Sequence, residues 1–439
     1  MNEYPNLIKS TLQECIDDLA SYSYLYSENP HKNFTRKRKL GFAKTIAATL
    51  AMQKSTLAHE LLNFFDYSDN SPTPSAFCQQ RNKITPEAFL TLFEDFSEKI
   101  SREHTYKGLK LLAVDGSDVN IPRNSSDQDT YIEPKDATGH NVVHLNASFD
   151  LLNRVYTQAI VQPIHSANET DAMCAMVDSN PDCKNTLYLA DRGYVSWNVL
   201  GHLIHNGALF LLRSKAPSSS GSILANFKLS DEQDEFDLEA GKFLTRRQTQ
   251  NIQSNPELYK RLKAINFDYL PHGSKNLFCV KFRIVKIKLK EPNEDGELFE
   301  YILTNLNSYL FPLEEIRKLY HMRWGIETSF RQLKYHVGMI YFHSRKYSLI
   351  LQEIYSSLIM FDFCQAITAH VAHKDLGKKH VQQINAAQAI RICMEFYKRV
   401  KTNVINVEKL IGRYLQPVRP DRHFKRKMRG QTAEFFVYR

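Results

Sequence analysis

The sequence is poor in the features that mark exported, membrane or zinc proteins. Its seven cysteines in 439 residues, Cys15, Cys78, Cys174, Cys183, Cys279, Cys364 and Cys393, are odd in number, scattered, and contain no Cys-x-x-Cys pair. That pattern argues against a disulfide framework or a cysteine zinc site and fits a reducing interior. The sixteen histidines show no HExxH or other zinc spacing, so no chemistry is assigned to them. No stretch approaches about 18 uninterrupted apolar residues. The start, MNEYPNLIKSTLQECIDDLA, lacks a basic segment followed by an apolar one. A cytoplasmic protein with no membrane partner is expected.

What is present looks globular. The chain is 43% hydrophobic and 24% charged, and its length fits two or three domains. A formal charge of +9 is modest for this length, but the excess is clustered, which points to an anionic partner. Two clusters are FTRKRKL, with Arg36, Lys37, Arg38 and Lys39, and PVRPDRHFKRKMRG near the C-terminus. Each alone reads equally well as a solvated run.

The most informative stretch is LEEIRKLYHMRWGIETSFRQLKYHV, residues 313–337. Pro312, Glu314 and Glu315 mark a helix start and Gly338 a stop, so one long helix is expected. At about 100° per residue, Tyr320, Arg323, Glu327, Arg331 and Lys334 share an arc of roughly 80°. Leu319, Met322, Ile326, Phe330, Leu333 and Val337 fill a second, apolar arc. The ordinary reading of the polar arc is an exposed face with i, i+4 ion pairs.

The spacing Tyr320, Arg323, Glu327, Lys334, with Trp324 after the arginine, resembles the signature of the DDE transposases of the insertion-sequence-4 family. The resemblance implies that Glu327 is the third metal-binding carboxylate. It also implies that Tyr320, Arg323 and Lys334 hold DNA phosphates, with Arg331 and Trp324 beside them and Trp324 a candidate to support a flipped base. The chemistry agrees, since hard carboxylate oxygens suit magnesium while guanidinium, ammonium and phenol suit phosphate.

The other two carboxylates are sought on strands. LKLLAVDGSDVNIP, NVVHLNASFDLLN, VYTQAIVQPIH and TLYLADRGY read as four strands, the middle two forming a hairpin joined near Asn153 and Arg154. Strand, strand, strand, helix, strand, helix is the order of a ribonuclease-H-like core, in which Asp115 and Asp191 take the first two carboxylate positions. Singly each is as easily a turn former. Asp118 is the rival to Asp115, at the wrong parity for the same strand face. Three converging carboxylates repel one another, and two divalent metals turn the repulsion into coordination.

The expected fold is α/β: a ribonuclease-H-like core interrupted by a β-rich insertion, with helical regions at either end. The boundaries are 1–105 for a helical DNA-binding domain, 106–213 and 309–375 for the core, 214–308 for the insertion, and 376–439 for a helical region with a basic tail. In the first region, Gln79, Gln80, Arg81, Asn82 and Lys83 offer a second polar surface for bases or phosphates. In the insertion, NLFCVKFRIVKIKLK and LFEYILTNL read as a hairpin with a basic face, and a parity switch between Arg283 and Lys286 predicts a bulge near Ile284 and Val285.

The resemblance further implies a cut-and-paste transposase, bacterial and nucleoid-associated. It would excise an element at its inverted repeats, pass through a DNA hairpin and join target DNA, as a homodimer using two Mg2+ ions for which Mn2+ can substitute. An end-binding repressor and a site-specific nuclease without strand transfer are the alternatives.

Overall fold

The computed structural model describes residues 2–36, 38–135, 138–230, 232–292, 296–371, 382–399 and 406–418. Its apolar runs form one ten-stranded sheet. The strands are β1 (Lys110–Ile121), the short β2 (Tyr131–Ile132), β3 (His140–Asp150), β4 (Val155–Pro163) and β5 (Thr186–Ala190). They continue with β6 (Leu209–Ser214), β7 (Phe236–Thr245), β8 (Tyr259–Arg261), β9 (Leu277–Lys288) and β10 (Phe299–Thr304).

β1 lies at the heart of the sheet, antiparallel to β3 and parallel to β5, which is itself parallel to β6. Side chains alternate across a strand, so Leu111 and Ala113 join the core on one face while Leu112 and Val114 join the core on the other. Because helices cover both faces, β1 begins as a continuous apolar run rather than an alternating one. The β3–β4 turn falls where expected: buried Asp150 accepts from the amides of Leu152 and Asn153, both at 3.0 Å.

Five helices precede the sheet: α1 (Glu3–Ser21), α2 (Phe42–Leu50), α3 (Leu57–Phe64), α4 (Pro74–Arg81) and α5 (Pro86–Ile100). Thr73 caps α4 by accepting from the Ala76 amide, with Pro74 in the first turn. Leu12, Ile46 and Phe93 of these helices sit in the same apolar core as Leu145 of β3. α6 (Glu169–Asp178) precedes β5 and α7 (Trp197–His205) precedes β6, together covering the opposite face. A short α8 (Gln250–Ser254) follows β7.

The strands of residues 236–304 extend the same sheet, since β10 pairs with β6 and with β9, and β9 pairs with β7. The bulge predicted near Ile284 and Val285 is absent, as β9 stays in register with both neighbours. Arg283 and Lys286, three residues apart, point to opposite faces of a regular strand that is buried on both. The Arg283 guanidinium pairs with Asp237, and the Lys286 ammonium bonds the Gln233 carbonyl at 2.8 Å over the Phe299 ring. They are internal ties, not an exposed basic face.

The expected single helix over 313–337 is segmented into α9 (Leu313–Met322), α10 (Trp324–Gln332) and a π-helical turn over Leu333–Val337. Arg323 occupies the junction, where its amide bonds the Tyr320 carbonyl three residues back at 3.0 Å and locally tightens the helix. The long α11 (Tyr347–His370) is buried for most of its length. It is followed by β11 (Gln382–Ile384), α12 (Ala386–Lys398), α13 (Val407–Ile411) and β12 (Leu415–Pro417), in which β11 and β12 pair. The basic tail from Arg419 to Arg429 lies outside the described residues.

Candidate active site

Asp115 and Asp191 reach the same side of the sheet for reasons of parity. Leu111 and Ala113 of β1, and Leu187 and Leu189 of β5, face the core that contains Ile326 of α10. Asp115 continues the first alternation, and Asp191 the second just past the end of β5. Asp118, at odd separation from Asp115, faces the other way. Its carboxylate accepts from His144 across the strand pair at 2.7 Å.

The carboxylates are matched by guanidinium groups. Arg323 donates to Glu327 at 2.8 Å and lies 3.7 Å from Asp115, with its own side chain 4% exposed. Arg213, from the end of β6, forks onto Asp191 at 2.6 and 3.1 Å and also reaches Glu300 of β10 at 3.3 Å. Among the described residues, no group of three or more His, Cys, Asp or Glu side chains is close enough to hold a metal ion. The physical reason is local: carboxylates that sense one another need cations between them, and here arginines fill that role.

The electrostatics record the same arrangement. Burial pushes the Asp115 carboxyl up to about 6; Arg323 pulls it down, while Glu327 and Asp191 repel it. Burial also acts upward on Asp191, but the bonds and charge of Arg213 outweigh it and hold that carboxyl below the usual range. Burial lowers the Lys334 ammonium, opposed by Asp118.

The polar arc read from the sequence is therefore not a solvated face. Tyr320, Arg323 and Lys334 are buried, and Lys334 donates to the Asp118 carbonyl at 2.5 Å. The Tyr320 hydroxyl and the Arg323 Nε have no hydrogen-bond partner among the described residues. Buried donors left this way favour an incoming acceptor. Arg331 and Trp324 are exposed, one helical turn to either side of Glu327, and line a groove beside it.

The profile of the transposase DDE domain family matches residues 106–362, which contain Asp115, Asp191 and the whole Tyr320 to Lys334 segment. The chain belongs to that family. It is a transposase, and the insertion-sequence-4 resemblance of the Tyr320 to Lys334 segment holds across most of the molecule. The transposase InsG for insertion sequence element IS4, from Escherichia coli strain K12, is 22% identical over 354 residues, 74% of this chain and 70% of that protein. A cryo-EM structure of the piggyBac transposase synaptic complex with hairpin DNA aligns at a TM-score of 0.46 and 11% identity, covering 95% of this chain and 87% of that one.

Other sequence-predicted residues of the transposase are scattered. Arg36, Arg38 and Lys39 occupy an exposed loop between α1 and α2, and Lys37 lies outside the described residues. Arg81 is not at a surface: it is 1% exposed and bonds Gln352, Glu353 and the Leu349 carbonyl of α11 at 3.2, 3.0 and 2.9 Å. The run that held it looked like a polar face because its partners lie some 270 residues away. Arg213 was missed. Its signal was an arginine near the end of the apolar strand LFLLRS, next to the strand that ends at Asp191.

Proposed function

We propose that Asp115, Asp191 and Glu327 are the catalytic carboxylates of a cut-and-paste DNA transposase. One observation carries this reading: a buried guanidinium, Arg323, lies between Asp115 and Glu327 and contributes to the electrostatics of Asp191. A site that needs such counter-charge suits divalent cations, and its donors are hard carboxylate oxygens of the type magnesium and manganese take. The strand order β4-β3-β1-β5-β6, with α6 and α7 before the last two strands, supports a ribonuclease-H-like core.

Two divalent ions held by the three carboxylates would activate the attacking oxygen and stabilise the leaving one in phosphoryl transfer at DNA. The remaining steps belong to side chains. When Arg323 is released from Glu327, its planar fork is free to take two oxygens of the scissile phosphate. The Tyr320 hydroxyl and the Arg323 Nε are donors waiting for such an acceptor. Lys334, at the far end of the segment, supplies a point charge beside Asp118. With the phosphate fixed, the same carboxylates serve water, then the freed 3′-hydroxyl that closes a hairpin on the opposite strand, then strand transfer to target DNA. The working unit on paired inverted repeats is a homodimer. Arg36, Lys37, Arg38 and Lys39 add phosphate contacts on the flank.

The test uses transposon-end DNA with Mg2+. Alanine at Asp115, Asp191 or Glu327 abolishes nicking while gel-shift binding of the end persists. Nicking by Asp115→Ala with none by Asp118→Ala overturns the assignment of the first carboxylate.

A further inference from the structure

Beside Glu327, on the adjoining face of α10, the structure holds a groove of about 1370 Å³ between the β3–β4 turn, α10, α11 and α12. That exceeds the roughly 300–1,000 Å³ of small-molecule pockets. Its floor is apolar, with Phe149, Leu151, Phe361 and Ile390, while Arg102, Arg154 and Arg331 line it. Among the described residues that line it there is no aspartate or glutamate. Arg102 is tied to the Tyr4 hydroxyl and the Ala366 carbonyl, both uncharged, and no carboxylate meets its charge among the described residues.

Two details suggest a built surface. Arg154 is held at φ 59°, a left-handed conformation disfavoured for a side chain of this size, by a turn that buried Asp150 caps. Gly325 lets α10 approach that turn: a Cβ there would lie 2.8 Å from Leu151 Cδ2. The half-exposed indole of Trp324 stands at the edge, one helical residue from the strained approach.

We infer that this groove binds an unpaired DNA strand as it leaves the active site. Uncompensated arginines attract a polyanion, and an apolar floor with an exposed indole takes the π-faces of bases. A duplex would present phosphates only, its bases being stacked inside, and would leave the floor bare. The basic segment 419–429 has the same charge sign as the groove and no carboxylate to meet there. Arg331 and Trp324, which line the groove, lie one helical turn from Glu327, so a strand leaving the carboxylates meets the groove directly. The inference rests on the transposase reading only for the source of the strand.

The experiment titrates the full chain in EDTA with a ten-nucleotide oligo-dT, which removes cleavage from the measurement. Of the two tryptophans, Trp197 is 5% exposed and Trp324 50%, so quenching of emission reports the groove edge. Binding is expected with quenching. The Arg154→Ala, Arg331→Ala double variant is expected to bind at least tenfold more weakly, with a log–log salt slope smaller by about 1.4, from roughly 0.7 per lost single-strand phosphate contact. Arg154→Lys, Arg331→Lys keeps the charge and is expected to recover most of the affinity, which separates contact from folding. Unchanged affinity in the alanine pair, absence of quenching, or a blunt duplex of the same length binding and quenching as well overturns the inference. Oligo-dT binding in EDTA does not depend on which carboxylates hold metal, so a failure of the catalytic assignment and a failure of the groove read out separately.

Discussion

Arg323 and Glu327, one helical turn apart across the α9–α10 junction, share a bond of 2.8 Å that places a guanidinium within 3.7 Å of Asp115 as well. An arginine assigned to phosphate thus rests on carboxylates assigned to metal. The two tasks would be compatible in sequence: were the carboxylates to hold a divalent cation, Glu327 would no longer need the guanidinium and the fork would be free for DNA. Reciprocity of linkage would then have phosphate capture by Arg323 favour cation binding at the carboxylates.

Removing Arg323 should misplace the phosphate without removing metal ligands. A charge-assisted contact is worth roughly 1.5–3 kcal/mol, so Arg323→Ala is expected to slow single-turnover cleavage by about one to two powers of ten. Arg323→Lys keeps the charge but loses the two-point fork and should fall between. Calorimetry with Mn2+ should show binding retained; a loss as complete as in Glu327→Ala overturns the clamp.

The Asp115 carboxyl predicts an unusual pH dependence in the absence of metal. Its native value of about 6 lies above the ordinary 3.8, with burial as the main cause. Between those values the native state binds more protons than the unfolded one, so stability falls as pH rises through that window. The total for this group is at most about 3 kcal/mol. Urea unfolding in EDTA at pH 4 to 7.5 should show that slope, and Asp115→Asn should flatten it.

Arg213 gives the opposite sign. Asp191 is held below its ordinary value, so its contribution is present above pH 4 and is lost as pH falls through the native value. Arg213→Ala is expected to cost about 2 kcal/mol at pH 7, less than the ~3–5 of a fully buried pair because Asp191 is 28% exposed. The deficit should be smaller at pH 3 than at pH 7, because acidification below the ordinary carboxylate range withdraws the charge that Arg213 pairs with. An equal deficit at both values would assign Arg213 to packing alone.

Arg81 should matter to folding rather than to DNA reading. Its pair with Glu353 is nearly inaccessible, at 1% and 9% exposure. Arg81→Ala is expected to destabilise by roughly 3–5 kcal/mol, seen as a lower urea midpoint. The sequence preference of end binding, measured where the variant is still folded, should not change.

The sequence by itself determined the local elements that carry the candidate residues. An apolar strand run leading into Asp115, one ending just before Asp191, and a helical segment carrying Glu327 were legible because local periodicity and turn residues act over a few residues. The strands β1, β3, β4 and β5, the β3–β4 turn near Arg154, the β9–β10 hairpin, and α11 and α12 all lie where those signals put them. What only the tertiary structure decided is the company each charge keeps. Arg81, Arg283 and Lys286 read as surface cations from their neighbours in sequence, yet are internal because Glu353, Asp237 and the Gln233 carbonyl meet them from distant segments. Arg213 became part of the site only when β6 lay beside β5. Ion pairing and burial depend on distance in space, and no spacing along a chain encodes that before the sheet closes over its helices.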